Sequence, residues 1–495
     1  MIPSGIIVCV FGIFLASINT MVLDLILQKF MVLTPQSQTY PMWKDMSNML
    51  HADFYFFNLT NMEAVRDAGA KPELKQIGPY KFFEQHHKFD IVWNANGTVT
   101  YKQRKVWKHV GGDLEDLITV LNIPYASVGD QVDKLPEVEK ALAGIAVAAA
   151  LPTEKLFVTV PIREFLFEGY DDPMLDAASK LEKVGIKLPG VTSKFGFFFG
   201  RNNSWYADGI TNVYTGSSGI GKRNSLTLSI FPRYSDAFLS ILFNLLIVLN
   251  LSILSMSILF ILYSISSFML SFTGKLGRVH AVNYTDHSNF FVGDCGQVNG
   301  SADFFPPYLG GRQQEFVFNQ DLCRSLILTS TGEYVKVHGT TGEAYVQPKF
   351  MFANHTDNEH NICYVNGPVD IPSGLFDASP CRFGAPVFMS QPHFYQADPF
   401  YASLLQKGSV EPSEAKHETK FIFEPISGVP LDLHVRYEFL RLITAFRTPT
   451  VQAFQSSYTS GIPRFKGSII HKFPRFNVPA NFLNVPFLSK VPHFY

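Results

Sequence analysis

Short runs of apolar and polar residues in alternation, punctuated by glycine and asparagine, make up most of the chain and predict a mainly β fold. Phe89 to Trp93 and Thr98 to Trp107 flank Asn94-Ala-Asn-Gly97, a hairpin signal because Gly97 accepts a positive φ. Leu326 to Thr329 and Tyr334 to Val337 flank Ser330-Thr-Gly332, and Glu343 to Gln347 follows Gly339-Thr-Thr-Gly342, which together predict a meander. The pattern changes at Pro136 to Leu151. There proline opens an alanine-rich run, Glu137 and Glu139 occupy its first turn, and Pro152 ends it, so a helix is predicted. Asp176 to Lys183 predicts a second, shorter helix, giving a β-rich body with a small helical cap.

Three segments depart from alternation. Ile6 to Ile18 is an uncharged apolar run that continues to Met21 before Asp24 and reads as a signal anchor over residues 2–24, in preference to a cleaved leader. Ala237 to Thr273 carries no charge at all and as a helix would reach about 55 Å, against a hydrocarbon core of roughly 30 Å. The tail after Arg441, rich in Phe, Pro and basic residues, has neither period and reads as loosely structured.

Composition adds a compartment. Four of the five cysteines, Cys295, Cys323, Cys363 and Cys381, share a region with the sequons Asn299-Gly-Ser and Asn354-His-Thr, and further sequons stand at Asn58, Asn96, Asn202 and Asn283. Disulfides persist in oxidising compartments and glycan acceptors work on lumenal loops, so the two signals together place this region outside the cytosol. Four cysteines leave three connectivities open. Cys9 lies in the N-terminal apolar run and is expected to stay unbridged. A net charge of -1, without a sustained basic block, excludes a nucleic-acid partner. A single membrane crossing by the apolar block would conflict with the lumenal signals that follow it.

Catalytic motifs are weak. Gly216 to Arg223 nearly matches a phosphate-binding loop, but Arg223 replaces the hydroxyl residue that would hold magnesium. His86 and His87 are adjacent and face opposite sides of a strand. Asp171 and Asp172, with Glu164, read as a solvated turn before Pro173. No catalytic residue, metal site or cofactor is expected.

Read in order, Phe54-Tyr-Phe-Phe-Asn-Leu-Thr-Asn61, Ile77-Gly-Pro-Tyr80, Arg163-Glu-Phe-Leu-Phe-Glu-Gly-Tyr170-Asp-Asp-Pro173, Asn299-Gly-Ser-Ala-Asp-Phe-Phe-Pro-Pro307, Asp321-Leu-Cys-Arg-Ser325, Cys381-Arg-Phe-Gly-Ala-Pro386, Ser390-Gln-Pro-His-Phe-Tyr-Gln-Ala-Asp398 and Phe423-Glu-Pro-Ile-Ser-Gly-Val-Pro430 form an ordered set. This set resembles the class B scavenger receptor family, which includes fatty acid translocase and the type two lysosomal integral membrane protein. The resemblance implies a non-enzymatic membrane glycoprotein with an irregular β-barrel ectodomain, a hydrophobic tunnel and an apical helical bundle. Lipids, fatty acids or lipoproteins are the implied ligands, with protein recognition or adhesion without lipid transfer as the alternative. Self-association into homo-oligomers stays open. The implied location is the plasma membrane with a large extracellular domain, or alternatively the lysosomal membrane.

The resemblance also implies pairing of Cys295 with Cys363 and of Cys323 with Cys381, and places Lys155 at the apex, where its ammonium is a candidate for a lipid carboxylate. It divides the chain into an anchor (2–24), a first ectodomain part (25–222), the apolar insert (223–273), a second ectodomain part with the disulfides (274–440) and a divergent tail (441–495) without the second transmembrane helix that relatives carry. The insert interrupts a continuous family pattern. It is expected to be either the product of an incorrect gene model or unusual splicing, or a genuine membrane-dipping segment.

Overall fold

The computed structural model of the protein describes residues 22–23, 26–27, 29–125, 127, 132, 135–150, 156–186, 192–206, 209–217, 275–320, 322–365, 371–382, 387–441 and 485–494. In chain order the elements used below are α1 (Thr39–Lys44), β1 (Asp45–Leu59), α2 (Met62–Ala68), β2 (Leu74–Trp93), β3 (Thr98–Gly111), β4 (Leu117–Leu121), α3 (Glu137–Ala150), β5 (Phe157–Pro161), α4 (Pro173–Lys183), β6 (Ile210–Tyr214), β7 (Val279–Val282), β8 (Gln314–Asn319), β9 (Arg324–Val337), β10 (Thr340–Val346), β11 (Phe376–Asp377), β12 (Phe388–Ser390), β13 (Lys420–Phe423), β14 (Pro430–His434), β15 (Tyr437–Arg441) and β16 (Val485–Phe494). The anchor at 2–24 falls almost wholly outside the described residues, and the insert at 223–273 entirely so. Among the described residues no helix is long and apolar enough to cross a membrane.

One 14-stranded sheet runs β7-β6-β3-β2-β1-β16-β14-β13-β10-β9-β8, with β15, β12 and β11 branching from β16. Neighbouring strands are antiparallel throughout. The hairpin at Asn94 to Gly97 forms as the sequence predicts, with the Asn94 N–H donating to Thr98 O and Gly97 at φ 75°. The meander is corrected. Ser330-Thr331-Gly332 is not a turn, because residues 324–337 make a single strand in which 331–333 bulge opposite Ala344. The Ser330 and Thr331 hydroxyls accept the N–H groups of Gly332 and Glu333, which satisfies the backbone inside the bulge. The actual turn is His338-Gly339, both at positive φ, as a tight two-residue hairpin requires. The tail also differs from expectation, since residues 485–494 form β16 between β1 and β14.

The two ends of the strand path meet through residues 300–302. Val279 N–H donates to Gly300 O and Ala302 N–H to Gly277 O on one side. On the other, Ser301 N–H donates to Phe316 O, and Phe318 N–H donates to Ser301 O. So close an approach needs glycine: a Cβ on Gly300 (φ 115°) would lie 2.7 Å from Phe318 N, and one on Gly277 would lie 2.0 Å from Phe304 O.

Buried charge lines this seam. Glu315, fully buried, accepts from Arg278 at 3.1 and 3.2 Å and from the Ser301 hydroxyl at 3.2 Å, with Arg312 Nη1 at 3.5 Å. Lys88, also buried, holds Asp303 at 3.1 Å and lies between the rings of Trp43 and Tyr101. Burial pushes the Lys88 ammonium below the usual lysine value, and Asp303 opposes that push. The main core gathers Phe54, Phe56, Phe165, Leu166, Phe198 and Tyr401 among many others.

Removing one partner of a buried pair leaves the other charge uncompensated. Asp303→Ala is expected to destabilise the folded chain by about 3–5 kcal/mol in denaturant titration, and Lys88→Met with Asp303→Leu to recover most of that loss. A single variant as stable as wild type would mean that the pair does not hold the seam.

Candidate functional site

The helical cap has its own small core. α4 begins where Asp172, 3% exposed, accepts the Met174 N–H at 2.9 Å and the Asn122 side-chain amide at 2.8 Å, with Pro173 in the first turn. This corrects the solvated-turn expectation for Asp172. Asp171 alone fits it, exposed and paired with Lys194, while Glu164 lies against Arg163. An aspartate directly before an N1 proline is a cap signal, and that signal was legible. α4 turns Met174 and Leu181 toward Ala143 and Val147 of α3, with Val132 and Ile186 completing the cluster.

α3 is unusual in what it leaves outside. Its buried side is small, Ala143 and Val147, whereas Val138, Leu142 and Ile145 are 76%, 49% and 59% exposed. Positions 138, 142 and 145 follow i, i+4, i+7, so they form one stripe along the outer face. An ordinary surface helix presents polar residues there. Sequence reading placed this helix correctly and overlooked the stripe, although its spacing was visible. Lys155, the headgroup candidate, lies outside the described residues.

The expected sequons fall in different settings. Asn96 is exposed at the β2–β3 turn and Asn354 stands in a loop; in each, the side-chain oxygen accepts from the threonine hydroxyl of its own sequon, at 2.7 and 2.8 Å. Asn202 and Asn283 are exposed, their side-chain oxygens taken by the N–H groups of Trp107 and Ile210. Asn58 is on β1 and accepts the Thr119 N–H, tying β4 to the main sheet. Asn299 adjoins the seam, and the remainder of its sequon, Gly300 and Ser301, is buried there. A disulfide joins Cys295 and Cys363. Cys323 and Cys381 both pack against the main core. Nearby, the buried Arg324 guanidinium stacks on Tyr364 and Phe376, and burial lowers it to about 10.

One cluster has the composition of acid–base machinery. His393 and His417 stack at 4.3 Å, and Glu438, fully buried, accepts the His393 N–H at 2.6 Å. The ring nitrogens are engaged within the fold: His393 Nδ1 accepts the Glu411 N–H, which puts its proton on Nε2 facing Gln76 Oε1, and His417 Nδ1 accepts the Ser413 N–H. Both rings are therefore held neutral. Burial lowers His393 to about 4, with Lys416 adding to it, and lowers His417 to about 3, with His393 adding. Burial raises the Glu438 carboxyl to about 8. His86 and His87 diverge as expected, His86 meeting Glu84 and His87 meeting Asp45. Among the described residues no group of three or more potential ligands could hold a metal ion.

The signs separate by pH. The histidines bind more protons unfolded than folded, so their contribution to stability is lost as pH falls from about 6.5 toward 3. Glu438 binds its proton more tightly folded, so its contribution is lost as pH rises from about 4.5 through 8. Above pH 6.5 only the glutamate among these three still titrates. Wild-type melting temperature is expected to fall between pH 6.5 and 8, and Glu438→Gln to remove most of that slope; equal slopes would contradict the assignment.

Comparison with known proteins gives the setting. The CD36 family model matches residues 4–228 and 271–456, and the gap between the two matched parts lies inside the apolar insert. Protein peste of Drosophila melanogaster is 29% identical over 412 residues, covering 81% of this chain and 62% of its own length. The match therefore spans less than two thirds of that relative. Homo sapiens lysosome membrane protein 2 is 26% identical, covering 84% of this chain and 73% of its own length. Bos taurus scavenger receptor class B member 1 is 25% identical, covering 88% and 73%. With its motifs in order and most of its length matched, the chain belongs to the CD36 family, the class B scavenger receptors.

Proposed function

We propose that this protein is a non-enzymatic membrane receptor that binds lipids or lipoproteins at its helical cap and passes lipid through its ectodomain. The observation that carries this reading is the outward stripe of Val138, Leu142 and Ile145, an apolar surface held on a cap with a core of its own. A lipid tail gains roughly 0.8 kcal/mol for each methylene removed from water, so such a surface needs no catalytic group. The seam through residues 300–302 supports a closed barrel, whose interior is the natural route for a tail. The Cys295–Cys363 bond supports an oxidising compartment, with a second bond between Cys323 and Cys381 and glycans on the exposed sequons. Relatives named as a lysosome membrane protein and as a scavenger receptor support a membrane location, at the cell surface or the lysosome.

Leu142→Asp with Ile145→Asp is expected to weaken binding to phospholipid-coated lipoprotein particles at least tenfold, since each side chain contributes about 1.5–3 kcal/mol when fully buried. Undiminished binding by a correctly folded double variant would refute the stripe as the recognition surface. Labelled cholesteryl ester uptake separates transfer from recognition: binding without uptake in the wild type would favour an adhesion or protein-recognition receptor. Non-reducing peptide mapping is expected to find Cys323 linked to Cys381, and alkylation of both thiols without reduction would remove that bond from the scheme.

A further inference from the structure

A cleft of about 340 Å³ opens between the β2–β3 turn and the paired strands β6 and β7, lined by Asn94, Asn96, Asn212, His280 and Tyr284 among others. That volume is near the low end for small-molecule sites and suits a single sugar ring with its acetamido group. We propose that the cleft is a cradle for the first sugar of the glycan on Asn96 itself. The proposal rests on the lumenal orientation given above.

Four observations converge on it. Asn96 is at once an exposed sequon and part of the cleft wall. Its side-chain oxygen is fixed by the Thr98 N–H at 3.2 Å and the Thr98 hydroxyl at 2.7 Å, which leaves Nδ2 as the free attachment atom. Opposite, Tyr284 is 80% exposed although its backbone sits at φ 67°, a left-handed conformation that costs a bulky residue energy. It occupies a two-residue turn with Asn283, where Val282 and Thr285 exchange hydrogen bonds, so the ring is held beside the cleft and not absorbed into the core. The remaining walls are Asn94, Asn212, His280 and Thr100 together with the apolar Ile210 and Ala281, and the Thr100 hydroxyl already orients Asn94 and Asn212.

These groups match an N-acetylhexosamine. Its ring C–H face packs on an aromatic ring, and its hydroxyl and acetamido groups pair with asparagine and histidine side chains. A sugar attached to Asn96 is tethered at the cleft, and tethering supplies an effective concentration in the millimolar range that a free saccharide would have to match. Asn283, the sequon beside Tyr284 on the facing turn, is not among the wall residues, so its glycan has no such cradle.

The test is site-resolved glycopeptide mass spectrometry on the full-length protein from animal cells, timing endoglycosidase release before and after denaturation. In the native protein the Asn96 glycan is expected to come off about tenfold more slowly than those on Asn202 and Asn354, the factor that a modest contact free energy gives. After denaturation the rates should match, and Tyr284→Ala should abolish the native difference at Asn96 alone. Glycans on Asn202 and Asn354 with Asn96 unoccupied, native release at Asn96 as fast as elsewhere, or no effect of Tyr284→Ala would each overturn the cradle while leaving the lumenal orientation intact. Absence of glycan from all three sites would overturn both. The wild-type comparison decides the matter even where the variant fails to reach the cell surface.

Discussion

Residues 300–302 connect strands that are far apart in the sheet's path, and the architecture depends on that connection. A long antiparallel sheet with open ends presents unpaired N–H and C=O groups along each edge. Here β7 and β8 are given a common neighbour in Gly300, Ser301 and Ala302. The approach is close enough to exclude a side chain at Gly300 or Gly277, and the ion pairs of Glu315 and Asp303 lie directly beside it. Buried pairs seldom add much net stability, because desolvation offsets their attraction. Their use is in register: slipping the seam by one residue would set Lys88, Arg278 or Arg312 against an apolar wall, and the chain would resist it.

The cap packs as a unit of its own. Its cluster of Ala143, Val147, Met174, Leu181, Val132 and Ile186 shares no member with the larger core beneath. Small residues on the inner face of α3 let α4 approach closely, and the larger apolar residues are displaced outward. That inversion of ordinary amphipathicity leaves apolar surface in contact with water.

Much of this was legible in the chain. The turn at Asn94 to Gly97 and the helix opened by Pro136 followed from residue types alone, since both depend on local chemistry. Ser330-Thr-Gly332 misled because the composition of a bulge is that of a turn, and only the pairing of Ser330 with Tyr345 and of Tyr334 with Glu343 on either side distinguishes them. Asp172 misled for a related reason: its polarity suggested solvent, while its position before Pro173 specified a cap that the neighbouring Asn122 helps to bury. The seam could not have been read at all. Asn299-Gly-Ser reads as a glycan acceptor, and the part that Gly300 and Ser301 play in the seam emerges only when strands remote in sequence come together.

β6 and β7 have a further consequence. Tyr214 N–H donates to Arg278 O and Gly277 N–H donates to Tyr214 O, so the chain leaves and re-enters the sheet at one hydrogen-bonded rung. The two strands therefore hold the described ends of the connection, Ser217 and Lys275, close to the same rung. The entropic difference between a long and a short loop on such a stem grows only logarithmically, by about 0.6 kcal/mol per doubling. The register of the stem is thus set by β6 and β7 themselves and depends little on how long the connection between them is.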